Sequence, residues 1–214
     1  MSLPDDARSL LHLRHVEVWE VELDQDEPLT TRLRGLLSAD EFARAERLQR
    51  HQGRWIVARA ALRMVLGARL SRVPEDIAFA VGEHGKPFID GTDLRFNLSH
   101  SGARAVIALA DHREVGVDIE RPGRNAAVVE RTLSDGERAS GEDPMLLWCR
   151  KEAWAKATGG GLGWAPEAFD TTQAGGYALA DLALGGGYVG ALAVEGDDAA
   201  HTLCRLTFSG CAES

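Results

Sequence analysis

The chain has 214 residues, 44% of them hydrophobic, with 24 Lys and Arg against 33 Asp and Glu and a formal charge of -9. That is enough chain for one or two packed domains, and the acidic balance excludes broad, salt-driven adhesion to nucleic acid or anionic membranes. Cys149, Cys204 and Cys211 are odd in number without CxxC spacing, and no stretch approaches the ~20 apolar residues of a membrane span, so a reducing cytoplasm is expected.

In chain order, the alternation VEVWEVEL at 16–23 predicts a strand. Ser38 and Glu41 form an S-x-x-E capping box that starts a short helix, with Leu37 and Phe42 at the staple positions. A longer helix is expected over 54–66, with Trp55, Ala58, Leu62 and Val65 on one stripe and Gly67 ending it. Strands follow at 77–81, 94–98 and 103–110. The order then recurs: a strand at 115–120, a second box at Ser134 and Glu137, and a helix from Pro144 to Thr158, capped by Asp143 and ended by Gly159. Strands are expected again at about 168–172, 177–184 and 188–194, and 209–214 reads as a loose tail. Strand, helix, helix and three strands, twice over, predict an α+β pseudo-twofold duplication of two similar subdomains, 1–112 and 113–214, with a cleft between them.

Arg outnumbers Lys by 21 to three, so Lys86, Lys151 and Lys156 stand out as places where a compact, mobile ammonium was kept. Asp118 and Glu120 lie two apart on a predicted strand and point to one face. Two such carboxylates repel unless a cation lies between them, although a half-exposed sheet edge also accommodates the spacing. Glu152 adds a third carboxylate, and three hard oxygen ligands suit Mg²⁺ with phosphate completing the shell. Glu152 and Lys156 share a helix face at i and i+4, a pair that stabilises a helix by only about 0.2–0.5 kcal/mol.

The segment FNLSHSG at 96–102 is expected to end a strand where a turn begins, placing Ser99 and His100 where they can donate to a phosphate. Upstream, Gly85-Lys86-Pro87 reads as a turn with Lys86 as its chemical handle. Arg47, Arg50 and Arg54, with Arg44 before them, share a face at i+3 and i+4 spacing, either as an anion groove or as a solvated helix face. P-loop, GxGxxG, GxSxG and HExxH patterns are absent.

Together, Gly85-Lys86-Pro87, FNLSHSG at 96–102, GVDIE at 116–120 and WCRKEAWAKATGGGL at 148–162 resemble, in order and approximate spacing, the signature blocks of the Sfp-type 4'-phosphopantetheinyl transferases. The resemblance runs over about residues 38–162. It implies a pseudo-twofold α+β fold with coenzyme A and Mg²⁺ between the halves. Asp118, Glu120 and Glu152 are then expected to hold Mg²⁺ on the coenzyme A pyrophosphate. Glu152 also becomes the base for the serine hydroxyl of an acyl carrier protein or peptidyl carrier domain, and Lys156 a phosphate contact that eases departure of 3',5'-ADP. Ser99 and His100 correspond to contacts with the coenzyme A phosphates, Lys86 and Pro87 to the nucleotide edge, and Arg44, Arg47 and Arg54 to basic residues at phosphate. A cytoplasmic monomer without nucleic-acid or membrane partners is expected.

The chain departs from the pattern at Glu41, where some relatives carry a cation. Its own charge of -9 means that an acidic carrier would be met through apolar contacts and local Arg. The residues by themselves also admit another Mg²⁺-dependent nucleotide phosphotransferase or phosphohydrolase, or a non-catalytic coenzyme A binding module.

Overall fold

The computed structural model describes residues 16–121, 123, 129–160 and 166–208. The tail expected at 209–214, and the Gly161 and Leu162 that close the last motif, lie outside the described residues. The first half contains β1 (Val16–Glu22), α1 (Glu27–Arg34), α2 (Ala39–Glu46), α3 (Gln52–Leu70), β2 (Ala80–Val81), β3 (Pro87–Phe88), β4 (Leu94–Ser101) and β5 (Arg104–Asp111). The second contains β6 (Val115–Glu120), α4 (Asp135–Ser140), α5 (Pro144–Thr158), β7 (Tyr177–Asp181), β8 (Val189–Glu195) and β9 (His201–Leu206). The architecture is mixed α+β.

Two sheets pack face to face, ordered β4-β5-β1-β9 and β6-β8-β7, beside the small β2-β3 pair. Alternation in β1 and β5 explains the layering. Trp19, Val21, Ile107 and Leu109 turn toward Val57, Ala61, Leu62 and Leu66 of α3. Val16, Val18, Val106 and Ala108 turn the other way, onto Val115, Val117, Ile119, Leu192 and Val194 of the second sheet. That sheet's outer face carries Ala191 and Ala193, which pack on Cys149, Ala153 and Ala157 of α5. The result is four layers, helix, sheet, sheet, helix. Among the described residues no helix is long and apolar enough to cross a membrane.

Both capping boxes form: Ser38 and Glu41 start α2, and Ser134 and Glu137 start α4. Each box glutamate is buried and paired with a cation from the long helix that follows. Glu41 takes Arg63 at 2.7 Å and also Arg59, while Glu137 takes the fully buried Lys151 at 2.7 Å. Burial alone would raise the Glu137 pKa, but Lys151 and the N–H groups of Ser134 and Thr171 outweigh it and hold the carboxyl below its usual range. Lys151 therefore serves the second half's interior.

Several elements differ from the sequence reading. Helix α3 continues through Gly67 to Leu70 and is capped by Ser71, in the left-handed region at φ 53. Gly67 serves a different need, because Arg72 O lies 2.7 Å from where its Cβ would sit. The strand expected at 168–172 is replaced by 3₁₀ turns at Pro166–Ala168 and Thr171–Gln173. There Asp170 accepts from Thr172 N and Ser134 Oγ, local bonds that compete with a ladder. Of 77–81, only Ala80 and Val81 pair, with Phe88 and Pro87.

Helix α1 and strand β9 were not foreseen. Strand β9 runs parallel to β1 with Cys204 opposite Trp19, so the chain's last described strand joins the first half's sheet, across the expected division at 112/113.

Candidate active site

The site begins with a missing side chain. Gly116, two residues before Asp118, faces α5 so closely that a Cβ would lie 2.1 Å from Ala153 O and 2.4 Å from Ala157 N. With small residues on both sides, α5 lies almost on the backbone of β6. That proximity brings Lys156 Nζ to 2.6 Å from Asp118 Oδ1 and 3.4 Å from Val117 O. Glu152, half-buried, sits one turn earlier on the same helix.

Strand β6 is the edge of its sheet, and side chains of β4 cover that edge. Asn97 Oδ1 accepts from Val117 N at 3.1 Å; Ser99 Oγ donates to Asp118 Oδ1 at 2.8 Å; Ser101 Oγ donates to Glu120 Oε2 at 2.9 Å. Residues 97, 99 and 101 share one face because β4 stays extended through Ser101, past the strand end expected at 98, so Ser99 and His100 lie on the strand. The turn comes after them, at Gly102 (φ 58) and Ala103. Lys156 also donates to Ser99 Oγ at 3.0 Å, closing a Ser99–Asp118–Lys156 cluster.

Further along β4 and β6 from this cluster opens a cleft of about 650 Å³, walled by Arg44, His51, Arg54, Trp55 and Leu48 together with His100, Ser101, Gly102, Glu120 and Arg121. Arg54 is held by Asp24, Nε to Oδ1 at 2.6 Å and Nη2 to Oδ2 at 2.9 Å. The Arg44 guanidinium lies 6.0 Å from the Trp55 ring centre. Partial burial first, then the nearby charge of Lys156, hold the His100 imidazole below its ordinary range.

The shared Arg face expected over 47–54 does not exist, because the helix breaks there. Arg47 caps α2, Gln49 takes φ 41, and a 3₁₀ turn at Gln49–His51 precedes α3. Arg44 and Arg54 reach the cleft, whereas Arg47 bonds Ala43 O at the surface. Lys86 donates to Glu114 Oε2 (2.7 Å), Val115 O (3.0 Å) and Ala157 O (2.9 Å), tying its turn to β6 and to the end of α5. With Pro87 it borders a separate pocket of about 350 Å³ beside Phe88, Ile89, Leu94 and Phe96. His51, Ser101, Gly116 and Arg121 were missed by the sequence reading. Ser101 and Gly116 were signalled only by period-2 spacing from Ser99 and Asp118.

Among the described residues, no three His, Cys, Asp or Glu side chains stand close enough together to hold a metal ion unaided. Asp118 is nevertheless 4% exposed, and its Oδ2 is buried with no hydrogen-bond partner among the described residues. Lys156 already meets the charge of Asp118 at Oδ1, but the unpartnered Oδ2 leaves lone pairs for a further ligand, and Mg²⁺ is usually bound by one or two carboxylates with substrate phosphate and water. The residues present fit such an ion.

Fold and cleft define an α+β protein of two packed sheets, with carboxylates and cations gathered at the sheet junction. The model of the 4'-phosphopantetheinyl transferase superfamily matches residues 114–203. The chain is 32% identical over 180 residues to the 4'-phosphopantetheinyl transferase HetI of Nostoc sp., covering 75% of each chain. It is 38% identical over 149 residues to the 4'-phosphopantetheinyl transferase AcpT of Salmonella typhi, covering 64% of this chain and 76% of that one. A 4'-phosphopantetheinyl transferase of Bacillus subtilis is 30% identical over 155 residues, 64% of this chain and 68% of its own. The chain belongs to the 4'-phosphopantetheinyl transferase superfamily.

Proposed function

We propose that the chain transfers the 4'-phosphopantetheine group of coenzyme A to a serine hydroxyl of an apo acyl or peptidyl carrier protein, releasing 3',5'-ADP. The observation that carries this reading, beside family membership, is the buried Asp118 with one oxygen unpartnered and Lys156 on the other, two residues along β6 from Glu120, which lines a cleft with Arg44, Arg54 and Arg121 in its walls.

In the reaction the serine Oγ forms a bond to the phosphorus that bears pantetheine, and the bond from that phosphorus to the 3',5'-ADP oxygen breaks. Asp118, with Glu120 beside it on the same face of β6, would hold Mg²⁺ with substrate phosphate and water completing its shell, and the ion would supply charge neutralisation at the pyrophosphate. Arg44, Arg54 and His100 bind and orient the phosphates of coenzyme A from the cleft walls. A serine hydroxyl is a weak nucleophile at neutral pH, and Glu152 accepts its proton. Lys156, held at Asp118, supplies positive charge to the departing phosphate.

The two halves are read as a duplication. Support comes from the matching capping boxes, each with a buried glutamate paired to a cation of the next long helix.

The test is release of 3',5'-ADP from coenzyme A, with and without an apo-carrier. Release that requires the carrier and stops when its serine is replaced by alanine supports the transfer. Carrier-independent release identifies a phosphohydrolase, the alternative reading.

A further inference from the structure

Glu120 is the last residue of β6 and half-exposed, so the groups that hold its carboxylate select its rotamer. Ser101 is one of them. Its Oγ accepts from Arg121 N at 3.1 Å and stands 2.9 Å from Glu120 Oε2. A hydroxyl has one proton to donate, and because Arg121 approaches as a donor, that proton goes to Glu120.

Ser101 is itself rigidly placed. It pairs with Arg104 across the β4–β5 hairpin, whose tip leaves no room for a side chain at Gly102. A Cβ there would lie 2.9 Å from Tyr188 Oη and 3.1 Å from Arg121 Cδ. The neighbouring Ala103 N donates to Tyr188 Oη at 3.2 Å.

We infer that Ser101 is a positioning residue for the cation site, holding the Glu120 carboxylate toward the cleft that both residues line. The inference rests on the proposed Mg²⁺ site and adds the residue that fixes one of its ligands. Ser99 holds Asp118 in the same way from the next position on that strand face, so both carboxylates of β6 are oriented by hydroxyls of β4.

The test compares Ser101→Thr with Ser101→Val, two β-branched side chains of similar shape that differ in the hydroxyl and suit a strand. Mn²⁺ serves as a paramagnetic probe, its binding measured in the presence of coenzyme A. The KM for Mg²⁺ in carrier modification is measured in parallel, with Glu120→Gln as control. Loss of an orienting partner typically weakens a metal site about 10- to 100-fold. Ser101→Val should weaken Mn²⁺ binding and raise the KM for Mg²⁺ by about tenfold, with Ser101→Thr near wild type on both. Equal behaviour of Thr and Val, while Glu120→Gln weakens Mn²⁺, overturns the positioning role. If Glu120→Gln leaves Mn²⁺ binding unchanged, the proposed ion site itself is wrong at Glu120, and the inference falls with it.

Discussion

Replacing Gly116 by Ala tests whether the close approach of β6 and α5 builds the site. The added methyl would lie 2.1 Å from Ala153 O, about 1.3 Å inside the 3.4 Å at which ordinary contact begins, and both obstacles are helix backbone. Helix α5 must therefore retreat by about 1 Å, carrying the 2.6 Å contact between Lys156 and Asp118 out of hydrogen-bond range. Overpacking of this kind typically costs about 1–3 kcal/mol, which urea denaturation would read. A displacement of ~1 Å at reacting groups costs on the order of 100-fold in turnover. Steady-state kinetics of carrier modification at saturating coenzyme A should therefore show kcat about 100-fold down in a protein that remains folded by circular dichroism. A Gly116→Ala protein with wild-type kcat would refute the reasoning, because the helix position would then be immaterial to the chemistry.

Other consequences are as direct. Lys151→Met leaves Glu137 buried without its cation and should cost about 3–5 kcal/mol, read as a lower urea midpoint. Because the Glu137 carboxyl is held below its usual range when folded, its contribution is present above its unfolded value and is lost as pH falls through the folded one; Glu137→Gln should flatten stability against pH in that acid window. The His100 imidazole is likewise held below its ordinary range, so its effect has the same sign in a higher window: below about pH 6.5 the unfolded chain binds the proton first, stability falls with pH, and His100→Asn should remove that slope. Lys86→Met removes a donor to Glu114, Val115 O and Ala157 O and should destabilise by roughly 1.5–3 kcal/mol. Unchanged stability with weakened coenzyme A binding would instead make Lys86 a nucleotide contact.

What could be read from the sequence was local. Asp143, Pro144 and Gly159 delimit α5 by capping chemistry that any helix obeys, and the structure has that helix at 144–158. The alternation of 115–120 set Asp118 and Glu120 on one face for the same reason, and that face meets α5. Long-range placement was hidden. Nothing in HTLCRL says that it will lie parallel to a strand 185 residues away, as the ion pairing of Arg205 with Glu20 across β9 and β1 shows. The Arg face failed because i+3 and i+4 spacing holds only within a helix, and the positive φ at Gln49 turns the chain between α2 and α3. The fate of Lys86 was hidden likewise, since its three acceptors come from two elements distant in sequence.

The central claim, that Glu152 and its neighbours drive transfer to a carrier serine, is tested most directly by the intact mass of an apo-carrier. The carrier is incubated with coenzyme A, Mg²⁺ and either the wild-type enzyme or Glu152→Gln. Conversion to a species heavier by one phosphopantetheine is expected with the wild type. Glu152→Gln should still bind coenzyme A, with conversion slowed at least ~100-fold. Conversion at the wild-type rate by Glu152→Gln would contradict the claim.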